Sequence, residues 1–138
     1  MIKFKRCKII AMLLVATVTV SLSGYAVKAD SSTTGTVGGE GVYAGSWATS
    51  TSAGATTSGQ NPYSGISASV SSHYIAVIPQ NGKIYEEDKS NSGTHSASVS
   101  FSAPNNYQTV SISSWHVASK NGETWTASTY QQYPNIFP

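Results

Sequence analysis

Three histidines, His73, His95 and His116, are the side chains best suited to acid–base or metal chemistry in this chain. Their separations fit no zinc pattern, and the single cysteine, Cys7, sits far from them in a basic N-terminal stretch. Serines abound, but no Gly-x-Ser-x-Gly elbow is present; Tyr43-Ala44-Gly45-Ser46-Trp47 carries one of its two glycines. Glu86, Glu87 and Asp88 are consecutive. Glycoside cleavage needs two carboxyl groups facing each other across a cleft, and an EF-hand spaces its oxygen ligands at alternate positions. The acidic run therefore reads as a solvated loop. These patterns predict a protein that is not an enzyme and carries no metal or cofactor. The aromatics say more: Trp47, Trp115 and Trp125 accompany seven tyrosines scattered after residue 29. An exposed indole stacks on the apolar face of a sugar or amphiphile while its N–H donates. Binding is the chemistry this composition supports.

The element that must position two of those tryptophans is a hairpin. Asn121-Gly122 separates Ser113–Lys120 from Glu123–Tyr130, and Asn-Gly between β-prone runs is the signature of a two-residue turn. A two-residue turn fixes the register. Lys120 faces Glu123, Ala118 faces Trp125, Val117 faces Thr126, His116 faces Ala127, Trp115 faces Ser128 and Ser113 faces Tyr130. Trp115 and Trp125 then lie on opposite faces of the ribbon, because side chains alternate along a strand. Either one of them is exposed or both are covered by a second layer. Asn81-Gly82 predicts another hairpin, closed imperfectly because Pro79 has no amide hydrogen to donate.

Residues 1–29 read as an export signal. Lys3, Lys5, Arg6 and Lys8 form a positive start, an uncharged run follows from Ile9 to Leu22, and Val27-Lys28-Ala29 offers a cleavage site before Asp30. The run is too short for an ordinary membrane span. The expected product is secreted and has no transmembrane segment. Removal of the signal takes Lys3, Lys5, Arg6, Lys8 and Lys28, leaving three lysines against six acidic residues and no arginine. That balance excludes a nucleic-acid footprint and a polybasic membrane patch. The mature chain holds no cysteine, so it must stand on packing and sheet hydrogen bonds.

No segment beyond the signal shows helical periodicity. After residue 29 the chain contains 22 Ser and 12 Thr, a share that suits strands with hydroxylated outer faces. Short strands separated by turn signals predict an all-β fold, a small antiparallel β-sandwich ending in the Asn-Gly hairpin. Residues 30–60 read as a Ser/Thr/Gly-rich segment: a disordered arm to about Thr36, a glycine-rich strand near 37–47, then a loop or a polar edge strand from Thr49 to Gly59. Residues 61–138 form the expected sandwich core. Ile66–Val70 and His73–Ile78 read as strands, Glu86–Gly93 as an exposed loop. His95–Ala103 alternates so that Ala97, Val99, Phe101 and Ala103 share one face. Val110 and Ile112 point inward, and the phase then slips, which predicts a bulge near Ser113-Ser114. The C-terminal aromatics Tyr130, Tyr133 and Phe137, with Ile136, are expected to pack back on a sheet edge.

Several of these pieces together resemble the lactococcin 972-like bacteriocins, small secreted proteins of Gram-positive bacteria. They are Val37-Gly38-Gly39 followed by Gly41 and Tyr43, His95-Ser96-Ala97-Ser98-Val99, Trp115 with Ala118-Ser119, and Ala127-Ser128 with Tyr130. The resemblance implies a two-sheet antiparallel sandwich that binds the cell-wall precursor lipid II. The functional expectation is a non-enzymatic, bacteriocin-like antibacterial protein that binds an envelope component through Trp115, His116, Trp125 and Tyr130. The alternative is a structural or adhesive β-domain of the cell surface or matrix. Its low-charge, serine-alternating strand Ser96–Ser102 would leave it open to self-association. A hydrolase comes third.

Overall fold

The Asn121-Gly122 turn closes as the sequence requires: both residues have positive φ, 53° and 80°. All six cross-strand pairs fixed by that turn are present. The computed structural model describes residues 31–133. The expected export signal lies outside these residues, as do Ile136 and Phe137 of the expected aromatic tail. Among the described residues no helix is long and apolar enough to cross a membrane.

Eight strands build two antiparallel sheets packed face to face. They are β1 (Ser32–Val37), β2 (Glu40–Ala48), β3 (Ser52–Gly59), β4 (Ser67–Val77), β5 (Ile84–Thr94), β6 (Ser96–Ser102), β7 (Gln108–Lys120) and β8 (Glu123–Gln132). One sheet has the order β1-β2-β3-β6, the other β5-β4-β7-β8. The protein is an all-β sandwich.

The inner layer is built from small side chains. Ala53, Ala55, Ala97, Val99 and Phe101 of the first sheet meet Ala68, Val70, Tyr74, Ala76 and Ile112 of the second. The Tyr74 and Phe101 rings stack across the layer, centroids 5.0 Å apart and 12° from parallel. So many alanines limit the apolar area available, and hydroxyl pairs fill some of the other inward positions. Ser72 and Ser114 bond at 2.7 Å, and the Tyr74 hydroxyl meets Thr109 at 2.8 Å. Because these buried polar groups are partnered, they incur little of the cost of an unmade bond.

Several expectations need correction. Ser32–Val37 is an edge strand paired to β2 along its whole length, not a disordered arm. Ser52–Gly59 is neither a loop nor an edge but an interior strand between β2 and β6. The sandwich therefore begins at β1, and residues 32–59 supply three strands of one sheet. Glu86–Gly93 is also a strand, fully paired to β4. Its polarity reflects its position at a sheet edge, where most of its side chains reach solvent. The expected bulge near Ser113-Ser114 is absent. The register shifts instead opposite Ile75 and Ala76, where Val110 is the extra residue. The apolar pattern misplaced it because the inward positions after Ile112 are filled by partnered polar residues, Ser114 and His116.

The second Asn-Gly signal does lie in a hairpin. Val77 pairs Ile84, and the amides of Asn81 and Gly82 both donate to Ile78 O across a wider loop. The chain passes from β5 to β6 through one residue, His95, with φ 74°.

β5 and β6 lie side by side at one margin of the sandwich. A Cβ on Gly93 would fall 2.6 Å from Ser96 O, so glycine permits the approach. Lys89 Nζ donates to Ser100 O at 2.7 Å, and Asn91 Nδ2 donates to Ser98 O at 3.0 Å. The lysine also stands over the Phe101 ring, 5.1 Å from its centroid. Side chains of β5 thus occupy the carbonyls of β6 that an added strand would use, which is a defence against edge pairing. Replacing both Lys89 and Asn91 by Ala should expose that edge and produce concentration-dependent association in sedimentation velocity. A variant that remains monomeric at high concentration would show that the two side chains do not guard it.

Trp125 sits at the opposite margin, half-buried against Val37, Val42, Ile66 and Ala118. Its ring lies across Gly35 of β1, where any Cβ would collide with the indole nitrogen. Trp125→Ala should cost roughly 2–3 kcal/mol, less than a fully buried tryptophan. Urea denaturation measures this, and an unchanged midpoint would contradict the packing role.

Candidate functional site: an uncharged aromatic face

The outward positions of the β1-β2-β3-β6 sheet hold no charged residue. Alternation places Thr34, Tyr43, Ser58 and Ser96 in one cross-strand row and Ser32, Gly45, Thr56 and Ser98 in the next. Trp47, Gly54 and Ser100 follow. Glycines let the aromatic rings lie down on the sheet. A Cβ at Gly45 would collide with the Tyr43 hydroxyl, and one at Gly54 would meet three atoms of the Trp47 indole within 2.6–2.8 Å. Tyr43 and Trp47 remain 39% and 47% exposed, enough to present a ring face to a ligand. Four residues of extended strand separate them by roughly 13 Å. Hydroxyls from β1, β3 and β6 surround the rings; Thr56 and Ser98 bond to each other at 2.9 Å.

The four residues named from sequence do not form one surface. Their register places Trp115 and Tyr130 on the outer face of the β5-β4-β7-β8 sheet, and His116 and Trp125 on the inner side. Trp115 is 36% exposed. Tyr130 is buried, and that burial raises its pKa, countered in part by a hydrogen bond from Ser111. His116 is fully buried. Its Nδ1 lies 2.8 Å from Thr57 Oγ1, and its Nε2 lies 2.8 Å from Thr129 Oγ1. The Thr57 hydroxyl donates its one hydrogen to Ser69 O, so it accepts from Nδ1–H. Nε2 then carries the lone pair and accepts from Thr129. The neutral ring is satisfied at both nitrogens, and burial lowers its pKa to about 4.

His73 is the other buried histidine, on the outer face of the second sheet. Asp88 Oδ1 lies 2.7 Å from Nδ1, and Glu86 Oε1 lies 2.9 Å from Nε2. A neutral ring has one N–H and can serve one carboxylate; the doubly protonated ring serves both. The contact ties edge strand β5 to β4. Lys120 and Glu123 are cross-strand neighbours as expected, but their charges go elsewhere. Lys120 donates to Glu40 and to Ser64 O, and Glu123 accepts from the Gly38 amide.

Among the described residues no histidine is hydrogen-bonded to a serine hydroxyl, and no cluster of three or more His, Cys, Asp or Glu side chains could hold a metal ion. What the first sheet offers instead is a ring face for stacking, hydroxyls for hydrogen bonds, and no charge. Sequence reading noted Trp47 and Tyr43 but did not select them. The signal was there in Gly41-Val42-Tyr43-Ala44-Gly45-Ser46-Trp47, where glycine and aromatic alternate on one strand face. Comparison of the chain with protein-family models, with curated proteins and with solved structures finds no match.

Proposed function

We propose that this is a secreted, non-enzymatic protein that binds an uncharged saccharide component of a cell envelope through the Tyr43–Trp47 face. The observation that carries the reading is the pairing of each ring with a glycine beneath it, on a sheet face lined otherwise by hydroxyls. Indole and phenol rings held parallel to a sheet stack on the C–H face of a sugar, and serine and threonine hydroxyls exchange hydrogen bonds with its own. The absence of charge on that face suits a neutral glycan and offers nothing to a phosphate. A bacteriocin-like, antibacterial outcome of such binding remains part of this proposal, with the sugars of lipid II, not its pyrophosphate, as the part that the face would contact. So does action outside the cell, which rests on the leader-like residues 1–29. The reading is tested by sedimenting the mature protein with insoluble neutral polysaccharides and with purified Gram-positive cell walls. The wild-type protein is expected in the pellet, and retention in the supernatant with all of them would overturn the reading.

A further inference from the structure

The loops at the Trp47 end of the sandwich border an open pocket of about 610 Å³ lined by Thr51, Ile78, Pro79, Gln80, Asn81, Asn106, Tyr107 and Gln108. It joins three separate connections, β2–β3, β4–β5 and β6–β7. Backbone bonds from Thr109 N to Ser50 O and from Ala103 N to Thr51 O tie the first of these to the chain flanking the third. Trp47 lies across Gly54, which is three strand residues, or about 10 Å, from Thr51 on the pocket rim. The platform and the pocket are therefore neighbours at one end of the sandwich.

The lining chemistry is as uncharged as the platform but differs in kind. Four carboxamides, Gln80, Asn81, Asn106 and Gln108, each bring a carbonyl acceptor and an NH2 donor. Asn81 uses its carbonyl on the Lys83 amide, which leaves its donors. Ile78, Pro79 and Tyr107 supply an apolar wall. Paired donors and acceptors beside an apolar wall match vicinal hydroxyls and the C–H face of a single sugar ring. A carboxylate or phosphate would find no cation among these residues.

We propose that this pocket receives the terminal residue of the glycan whose interior stacks on Tyr43 and Trp47, so that the protein binds chain ends. The inference rests on the glycan reading of the platform and adds to it a specificity: end recognition in place of lateral adsorption.

The test uses calorimetric titration with cello- and chito-oligosaccharides from disaccharide to hexasaccharide, alongside soluble polymers of the same repeats. If the pocket holds the terminus, saturation of a bound series follows the molarity of chain ends, whatever the chain length. Gln80→Ala with Gln108→Ala, both on exposed positions, then lowers affinity by roughly tenfold or more. The cello and chito arms show whether the sugar carries a hydroxyl or an acetamido group. Sites that scale with total sugar residues, together with an unaffected double variant, would overturn end recognition while leaving the platform standing. Loss of binding in Trp47→Ala but not in the double variant would do the same. Absence of any binding by the wild-type protein would overturn both.

Discussion

Between pH 6.5 and about 4 the folded protein should lose about 3 kcal/mol of stability to one residue, His116. Burial holds its folded-state pKa at about 4 against an ordinary value of 6.5. Within that window the unfolded chain binds a proton that the folded chain refuses, so stability falls as pH falls. Above pH 6.5 both states are neutral and the effect vanishes; below about 4 both are protonated and the loss is complete. A difference of one in pKa between the two states is worth about 1.4 kcal/mol, which sets the scale. The cause is burial, and the threonine partners supply nothing to offset it. Nε2 accepts from Thr129 in a fully buried site, and neither ring nitrogen has a carboxylate as its hydrogen-bond partner. A second ring proton would face a hydroxyl already turned toward it. His116→Gln should be less stable at neutral pH, yet it should lose about 3 kcal/mol less than wild type on acidification. Urea midpoints at pH 7 and at about pH 4 measure the difference. Parallel losses in the two proteins would show that His116 does not titrate against the fold.

Trp47→Ala should weaken glycan binding by roughly tenfold to a hundredfold while leaving stability almost unchanged. The indole lies on the outer surface, packed on Gly54 but nearly half exposed. Its removal uncovers a glycine and a serine row, not a core cavity, so the folding cost should stay below about 1 kcal/mol. The ligand, in contrast, loses its largest stacking surface, an anchor of the kind that dominates interface energetics. Tyr43→Ala should act in the same direction with a smaller effect, because the phenol covers less area. A polysaccharide pellet assay with wild type and both variants measures this. Undiminished binding by Trp47→Ala would remove the platform from the account.

Much of the fold was legible because it rests on local chemistry. Asn121-Gly122 dictated a turn that only two residues with positive φ can make, and that turn carried the pairing of β7 with β8. Strict alternation from Ser96 to Ser102 was equally readable, since the apolar set has no second way to reach a core. The strands that were missed are the ones whose pattern is not apolar. β1 and β5 are edge strands with little to bury, and β3 turns Ala53, Ala55 and Thr57 inward, side chains too small or too polar to announce a core. The same blindness affected the site. His116 and Trp125 attracted attention by residue type, but type alone does not distinguish an inward from an outward position until the strand's partner sheet is known. The hairpin register separated Trp115 from Trp125 correctly, and only packing could say which one is covered. Tyr43 and Trp47 form a face because Gly54, on a different strand, lies under the second ring. The alternation of glycine and aromatic along β2 marks the two rings as one face, but the contact of Trp47 with Gly54 is non-local and neither segment read alone shows it.

The three tryptophans allow one spectrum to judge the central claim. Their indole N–H signals, from Trp47, Trp115 and Trp125, can be assigned with single Trp→Phe variants and followed in a ¹H–¹⁵N correlation spectrum during titration with a neutral oligosaccharide. The Trp47 signal is expected to shift and saturate while that of Trp125, held against Gly35, stays in place. Movement of Trp115 alone would transfer the site to the opposite sheet, and a titration that leaves Trp47 still would contradict the claim.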